Sequence, residues 1–199
     1  MNAGLILASA SLARKNILDA ARVPFETIAP DVDERRIKDD LLAQGAKPDT
    51  IAATLAEQKA LEVSGRVENS LVLGADQVLV CEGKLFSKAE NLTDARETLK
   101  RFRGRKHELI SAMALVRNGS CEWRYVEIAE LWVRDLSDAF LDSYLEQEGE
   151  DLLGSVGCYR IEGRGAQLFE KVVGDHFTIR GLPLFPLLGV LREKGVLPT

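Results

Sequence analysis

The chain has 199 residues, 46% of them hydrophobic and 29% charged, with 26 basic against 31 acidic side chains and a net charge of −5. That length and composition exclude a disordered or collagen-like chain and allow a proper core without disulfides or structural metal. The acid excess argues against a protein that coats nucleic acid, which needs Lys and Arg concentrated on one surface.

Cys81, Cys121 and Cys158 form neither a CxxC pair nor a zinc set with the two histidines, His107 and His176, and read as reduced structural thiols. No segment approaches the ~18 apolar residues of a spanning helix. The greasiest stretch, Leu182 to Leu191, is broken by Pro183, Pro186 and Gly189. The start, Met1 to Ala10, carries a cleavage-like Ala8-Ser9-Ala10, but it lacks a basic stretch and its apolar run is too short for a signal peptide. The expectation is a cytoplasmic protein without a membrane span, a single domain over 1–199 with no separable linker.

In chain order, Leu5 to Ala8 reads as a buried strand and Leu12 to Ala21 as a helix capped by Ser11. Phe25 to Ala29 follows as a strand, the charged run Asp31 to Arg36 as a loop, and a helix runs from Pro48, apt for a first helical position, to about Ser64. Leu71 to Val80 has a central-strand pattern, and Thr93 to Phe102 reads as a capped helix with Asp94 and Glu97 in its first turn. Leu109 to Val116 and Trp123 to Val133 flank the hairpin dipeptide Asn118-Gly119. Cys121, Trp123 and Trp132 there read as strand packing. Ser137 caps a helix that ends at Gly149, Cys158 to Ile161 and Ala166 to Phe169 are short strand candidates, and a last helix spans Pro183 to Lys194. The sum is a mixed-sheet α/β fold.

Three groups of charged or polar residues stand where the local pattern predicts apolar ones, and such breaks are candidates for function. Asp76 interrupts the apolar run Leu71 to Val80, where a carboxylate is costly unless it meets a metal or a cation. It could equally cap a turn or pair with a neighbouring Lys. Lys59 lies near the stripe Ala52, Leu55, Ala56 and Val63, where snorkelling to solvent is the ordinary reading and a cleft-facing ammonium the alternative. Ser9, Ser11, Arg14 and Lys15 gather at a helix start, whose N–H groups and dipole favour an anion, although capping and an exposed basic face explain them too. No P-loop is present, Gly163-Arg164-Gly165 lacks the rest of a dinucleotide fingerprint, and no Ser–His–Asp or Cys–His set is detectable.

The ordered set Leu7-Ala8-Ser9-Ala10-Ser11 with Arg14, Pro30-Asp31-Val32-Asp33-Glu34, Lys59-Ala60, Gly74-Ala75-Asp76 and Gly181-Leu182-Pro183-Leu184 resembles the Maf family of nucleoside triphosphate pyrophosphatases. The stretch from Val156 through Glu170 is similarly characteristic, so the resemblance covers almost the whole chain. It implies an elongated mixed β-sheet with flanking helices, in two lobes around a central cleft. It also implies hydrolysis of a nucleoside triphosphate to the monophosphate and pyrophosphate with a divalent cation, Mg²⁺ before Mn²⁺ or Co²⁺. A homodimer would suit the family.

By carry-over, Ser9, Ser11, Arg14 and Lys15 would hold the triphosphate, and Lys59 and Lys88 would stabilise charge developing on the phosphates. Glu34 would help hold the metal, and Asp76 would act as general base or position a metal-bound water. The family's specificity positions fall on Ala13, Gln77 and Glu162. The branch resembling dTTP/UTP pyrophosphatases would carry Arg, Thr and Gln there, and the branch resembling 7-methyl-GTP pyrophosphatases a bulky aromatic, Gln and Glu. Two of the three favour the second branch, and a carboxylate at Glu162 suits a guanine-type or methylated base. Its plainer reading is an ion pair with Arg164 or another cation.

The chain departs from the family at Leu12 and Ala89, where proline is expected, at Ala13, and at Lys15, where arginine is expected. Loss of bidentate geometry and of loop-stiffening proline bears on rate and specificity. Two rival readings follow: a low-activity nucleotide-binding regulator linked to cell division, and a pyrophosphatase preferring dTTP or UTP. A ligand-free structural protein is a third.

Overall fold

The computed structural model describes residues 4–199, so Met1 to Ala3 lie outside the described residues. The elements are β1 (Leu5–Ala8), α1 (Leu12–Ala20), β2 (Phe25–Thr27), α2 (Glu34–Ala43), α3 (Pro48–Ser64), β3 (Leu71–Cys81), β4 (Lys84–Phe86), α4 (Leu92–Phe102), β5 (Lys106–Arg117), β6 (Ser120–Val133), α5 (Asp138–Glu148), β7 (Phe169–Val173), α6 (His176–Ile179) and α7 (Leu184–Glu193). Two 3-10 segments, Gly149–Gly154 and Arg164–Leu168, lie between α5 and β7. The seven strands form one mixed sheet in the order β2-β1-β3-β5-β6-β7, with β4 paired to β3. β1 runs parallel to both β2 and β3, whereas β3 with β4 and β6 with β7 are antiparallel. The mixed-sheet α/β expectation is borne out.

The chain divides into two compact units, one holding the chain through Gln77 with Ser111–Glu127 and Gly181–Thr199, the other Val78–Ile110 with Ile128–Arg180. In the first, Ile6 and Ala8 of β1, Val72 of β3 and Val116 of β5 pack with Ala60 and Val63 of α3. In the second, Leu99 and Phe102 of α4 and Leu141 and Tyr144 of α5 share a core with Leu109, Leu131 and Leu168. No described helix is long and apolar enough to cross a membrane.

Local chemistry sets most element ends. The Ser11, Asn91 and Ser137 side chains accept from the Arg14, Asp94 and Phe140 amides and start α1, α4 and α5. Pro48 opens α3, and the Asn118-Gly119 turn, with φ of 47° and 74°, joins β5 to β6. α4 thus begins one residue before Thr93, because Asn91 is its cap.

Elsewhere the structure corrects the sequence reading. The loop expected over Asp31 to Arg36 gives way to α2 at Glu34: Asp33 accepts from the Arg36 amide, but none of the ten helical residues is buried, so no apolar period announces the helix. Cys158 to Ile161 is not a strand, since Cys158 takes a φ of 57°. Ala166 to Phe169 is mostly the second 3-10 segment, and β7 begins only at Phe169. Gly163 donates to the Arg160 carbonyl and Ala166 to that of Gly163, and a Cβ on Gly165 would strike the Arg160 backbone. The segment folds back on itself instead of extending. β4 and α6 are too short to leave a pattern.

Candidate functional site

At the junction from β1 to α1, the Ser9 hydroxyl accepts from the Ser11 amide at 3.2 Å and from Arg14 Nη1 at 3.1 Å. Ser11 is the cap of α1, while Lys15 projects exposed and Ala13 is half-buried. Arg14 is buried: its Nη1 also donates to the Ala75 carbonyl at 2.9 Å, and its Nε to the Gly181 carbonyl at 2.9 Å. Burial pulls its pKa down, and the Asp76 and Glu34 charges push it back up.

Gly74 brings β3 against α3. A Cβ there would overlap the Ala56 carbonyl oxygen and lie 2.9 Å from the Ala60 Cβ, so only glycine facing two alanines permits the approach. Lys59 lies on the buried stripe of α3 with Ala52, Leu55, Ala56 and Val63, and its side chain is only 7% exposed. It does not snorkel. Its Nζ donates to Asp76 Oδ1 at 2.7 Å and lies 2.8 Å from Glu34 Oε2, contributed by the first turn of α2. Asp76 is pushed above the ordinary carboxylate range by burial, against the opposing pull of Lys59 and Arg14. A buried carboxylate, one buried ammonium and a second, half-exposed carboxylate therefore meet at one point.

Next along β3, the Gln77 amide donates from Nε2 to the fully buried Ser111 hydroxyl at 2.8 Å. Sequence reasoning passed over Ser111, although a hydroxyl inside the apolar run Leu109 to Val116 is the same kind of break as Asp76. It also passed over the Gly181 carbonyl, whose φ of 88° is easy only for glycine. Ser9 with Arg14, and Glu34 with Lys59 and Asp76, thus form two contacting groups, linked where Arg14 meets the Ala75 carbonyl next to Asp76.

The second unit carries Lys88 and Glu162, both exposed. Lys88 lines an open groove of about 420 Å³ with Lys84, Ser87 and Arg101. Glu162 Oε1 lies 3.6 Å from Arg180 Nε, so its cation partner is Arg180, while Arg164 donates to Ser143. The three cysteines are unpaired thiols, and burial pushes Cys158 up to about 11. Trp123 stacks on Tyr125, and Trp132 carries Lys106 and Lys171 over its ring.

Among the described residues no three His, Cys, Asp or Glu side chains are grouped to hold a metal ion. Glu34 and Asp76 nevertheless share one cation, the Lys59 ammonium, and two carboxylates completed by phosphate oxygens and water make a donor set suited to Mg²⁺.

The family model described as Maf-like protein matches residues 4–194. The chain belongs to the Maf family. Among Maf relatives, the nucleoside triphosphate pyrophosphatase of Caulobacter vibrioides is 51% identical over 96% of each chain. That of Granulibacter bethesdensis is 49% identical over 97% of this chain and 98% of its own. The 7-methyl-GTP pyrophosphatase of Rhizobium etli is 45% identical over 99% of both.

Proposed function

We propose that this Maf protein is a hydrolase that cleaves a nucleoside triphosphate to the monophosphate and pyrophosphate. The observation that carries the reading is the buried Lys59 ammonium shared between Asp76 and Glu34, together with the pyrophosphatase relatives. Water attacks the α-phosphorus, a P–O bond forms there, and the bond to the bridging oxygen breaks, leaving that oxygen on pyrophosphate. Asp76 takes the water's proton. Burial raises its proton affinity, and Lys59 holds Oδ1, which leaves Oδ2 to receive the proton.

Ser11 and the first amides of α1, with Ser9 and Lys15, face the phosphates in this reading, because a capped helix start favours anions. Arg14 adds its positive charge from beneath them, and Lys88 is the further cation assigned to the developing negative charge. Glu34 and Asp76 would hold Mg²⁺, which when bound supplies charge neutralisation for the phosphates.

Gln77 and Glu162 support 7-methyl-GTP as the preferred substrate, since a carboxylate suits a base bearing donors or positive charge. Removal of such a nucleotide is a cytoplasmic task. The test is pyrophosphate release from 7-methyl-GTP, GTP, dTTP and UTP with Mg²⁺, with and without EDTA, beside Asp76→Asn. The reading expects EDTA-sensitive release led by 7-methyl-GTP and abolished in Asp76→Asn. Release led by dTTP or UTP overturns the base preference, and no release from any substrate overturns the reaction.

A further inference from the structure

We infer that Arg14 is a positioning residue, which sets the backbone carrying Asp76 and does not itself ligate the triphosphate. The inference rests on the reading of Asp76 as the proton acceptor. The last pair between β1 and β3 is Ala8 with Gly74, so the Ala75 carbonyl lies one residue beyond the point where the two strands are in register. There the Arg14 guanidinium takes over from the strand, with Nη1 2.9 Å from the Ala75 oxygen. That carbonyl and the Asp76 N–H belong to the same planar peptide unit. Fixing one therefore fixes the plane from which the Asp76 side chain departs.

The same guanidinium reaches two further segments. Nη1 donates to Ser9 Oγ at 3.1 Å, just before α1, and Nε to the Gly181 carbonyl at 2.9 Å, from a segment 167 residues away in sequence. The end of β1, β3 just past its last pair with β1, and the Gly181 segment thus share one rigid planar fork. Lysine carries the same charge but has a single nitrogen and no fixed fork, so it cannot hold three acceptors in that geometry.

A residue already committed to three internal acceptors and buried in the fold is poorly placed to meet a phosphate, whereas Lys15, next in the chain, is exposed. Gly181, at a φ of 88°, also lies beside both Arg14 and Gln77: its added Cβ would stand 3.5 Å from the guanidinium and 3.7 Å from the Gln77 amide carbon. The Arg14 contact to the Gly181 carbonyl therefore also places the backbone that faces Gln77.

The test separates rate from affinity. In Arg14→Lys, kcat for pyrophosphate release is expected to fall about 100-fold, the effect of an ångström-scale misplacement of a reacting group, with KM and the Kd for a non-hydrolysable α,β-imido triphosphate unchanged. Lys15→Ala should do the reverse, raising KM with little loss of kcat. A rise in KM and Kd in Arg14→Lys that accounts for its whole loss of kcat/KM, or a wild-type kcat, overturns the proposal. In the wild-type protein, the Arg14 Nε–H resonance should exchange slowly without nucleotide and keep its shift when the imido analogue binds. Fast exchange without nucleotide, or a shift that moves with ligand, overturns the proposal even if the variant fails to fold. Because slow exchange is read without turnover, it remains decisive if the wild type releases no pyrophosphate, an outcome that would overturn only the reaction proposed above.

Discussion

Gly74 on β3 faces Ala56 on α3 so closely that any Cβ at position 74 would overlap the Ala56 carbonyl oxygen. The contact is backbone against backbone, so no side chain can swing away to relieve it. Gly74→Ala is expected to cost about 3 kcal/mol of stability, the upper end of ordinary overpacking, and to lower turnover by moving Lys59 away from Asp76. Urea denaturation beside a pyrophosphate-release assay checks both, and a variant of wild-type stability and rate would show that strand and helix can separate at no cost.

Lys59 and Asp76 are both buried, with side chains 7% and 9% exposed, so deleting Lys59 takes from Asp76 the cation it contacts. Lys59→Met should destabilise the protein by about 3 to 5 kcal/mol. Asp76→Asn added to it should cost much less than the sum of the two single changes, because the remaining charge disappears too. A double-mutant cycle in urea measures the coupling, and additive costs would mean that the pair contributes nothing through its mutual contact.

Ser111 holds the Gln77 amide from below. Ser111→Ala is expected to cost about 1 kcal/mol of stability. If Gln77 meets the base as proposed, the change should also narrow the ratio of kcat/KM between 7-methyl-GTP and GTP, since the carboxamide loses the hydroxyl that orients its Nε2. A ratio equal to that of the wild type would detach Ser111 from substrate choice.

His107 stacks on Phe102 and meets the Tyr159 hydroxyl through Nε2 at 2.6 Å, while its buried Nδ1 has no hydrogen-bond partner among the described residues. Burial lowers its pKa from 6.5 to about 3. Because the folded value lies below the unfolded one, the contribution to stability is fully present above pH 6.5 and is lost as pH falls toward 3. In that window the unfolded chain binds one more proton, and stability should fall by about 1.4 kcal/mol per pH unit through this group. His107→Gln should remove that slope, and stability–pH curves from chemical denaturation compare the two proteins. Parallel curves would mean that His107 is protonated in the folded chain as readily as in the unfolded one.

How much of this was legible beforehand depends on whether the information was local. Caps and turns were: Ser11, Pro48, Asn118-Gly119 and Ser137 act within a few residues of themselves, and each sits where its chemistry predicts. β1, β3 and α3 announced themselves through apolar runs and stripes, because burial of one face imposes a period. α2 did not, since no face of it is buried, and the turns from Cys158 to Leu168 mimicked strands because their apolar residues are buried without being paired in a ladder.

The candidate site divides along the same line. That Asp76 and Lys59 are out of place in their own elements could be read from the chain alone, as could the family resemblance. The partner of each could not. Only the close approach at Gly74 decides that Lys59 turns to Asp76 and Glu34 instead of to water. Only the fold decides that Arg14 is spent on the carbonyls of Ala75 and Gly181. A side chain's cost of burial is set by its own chemistry, whereas the group that offsets that cost is chosen by which distant segments are packed against it.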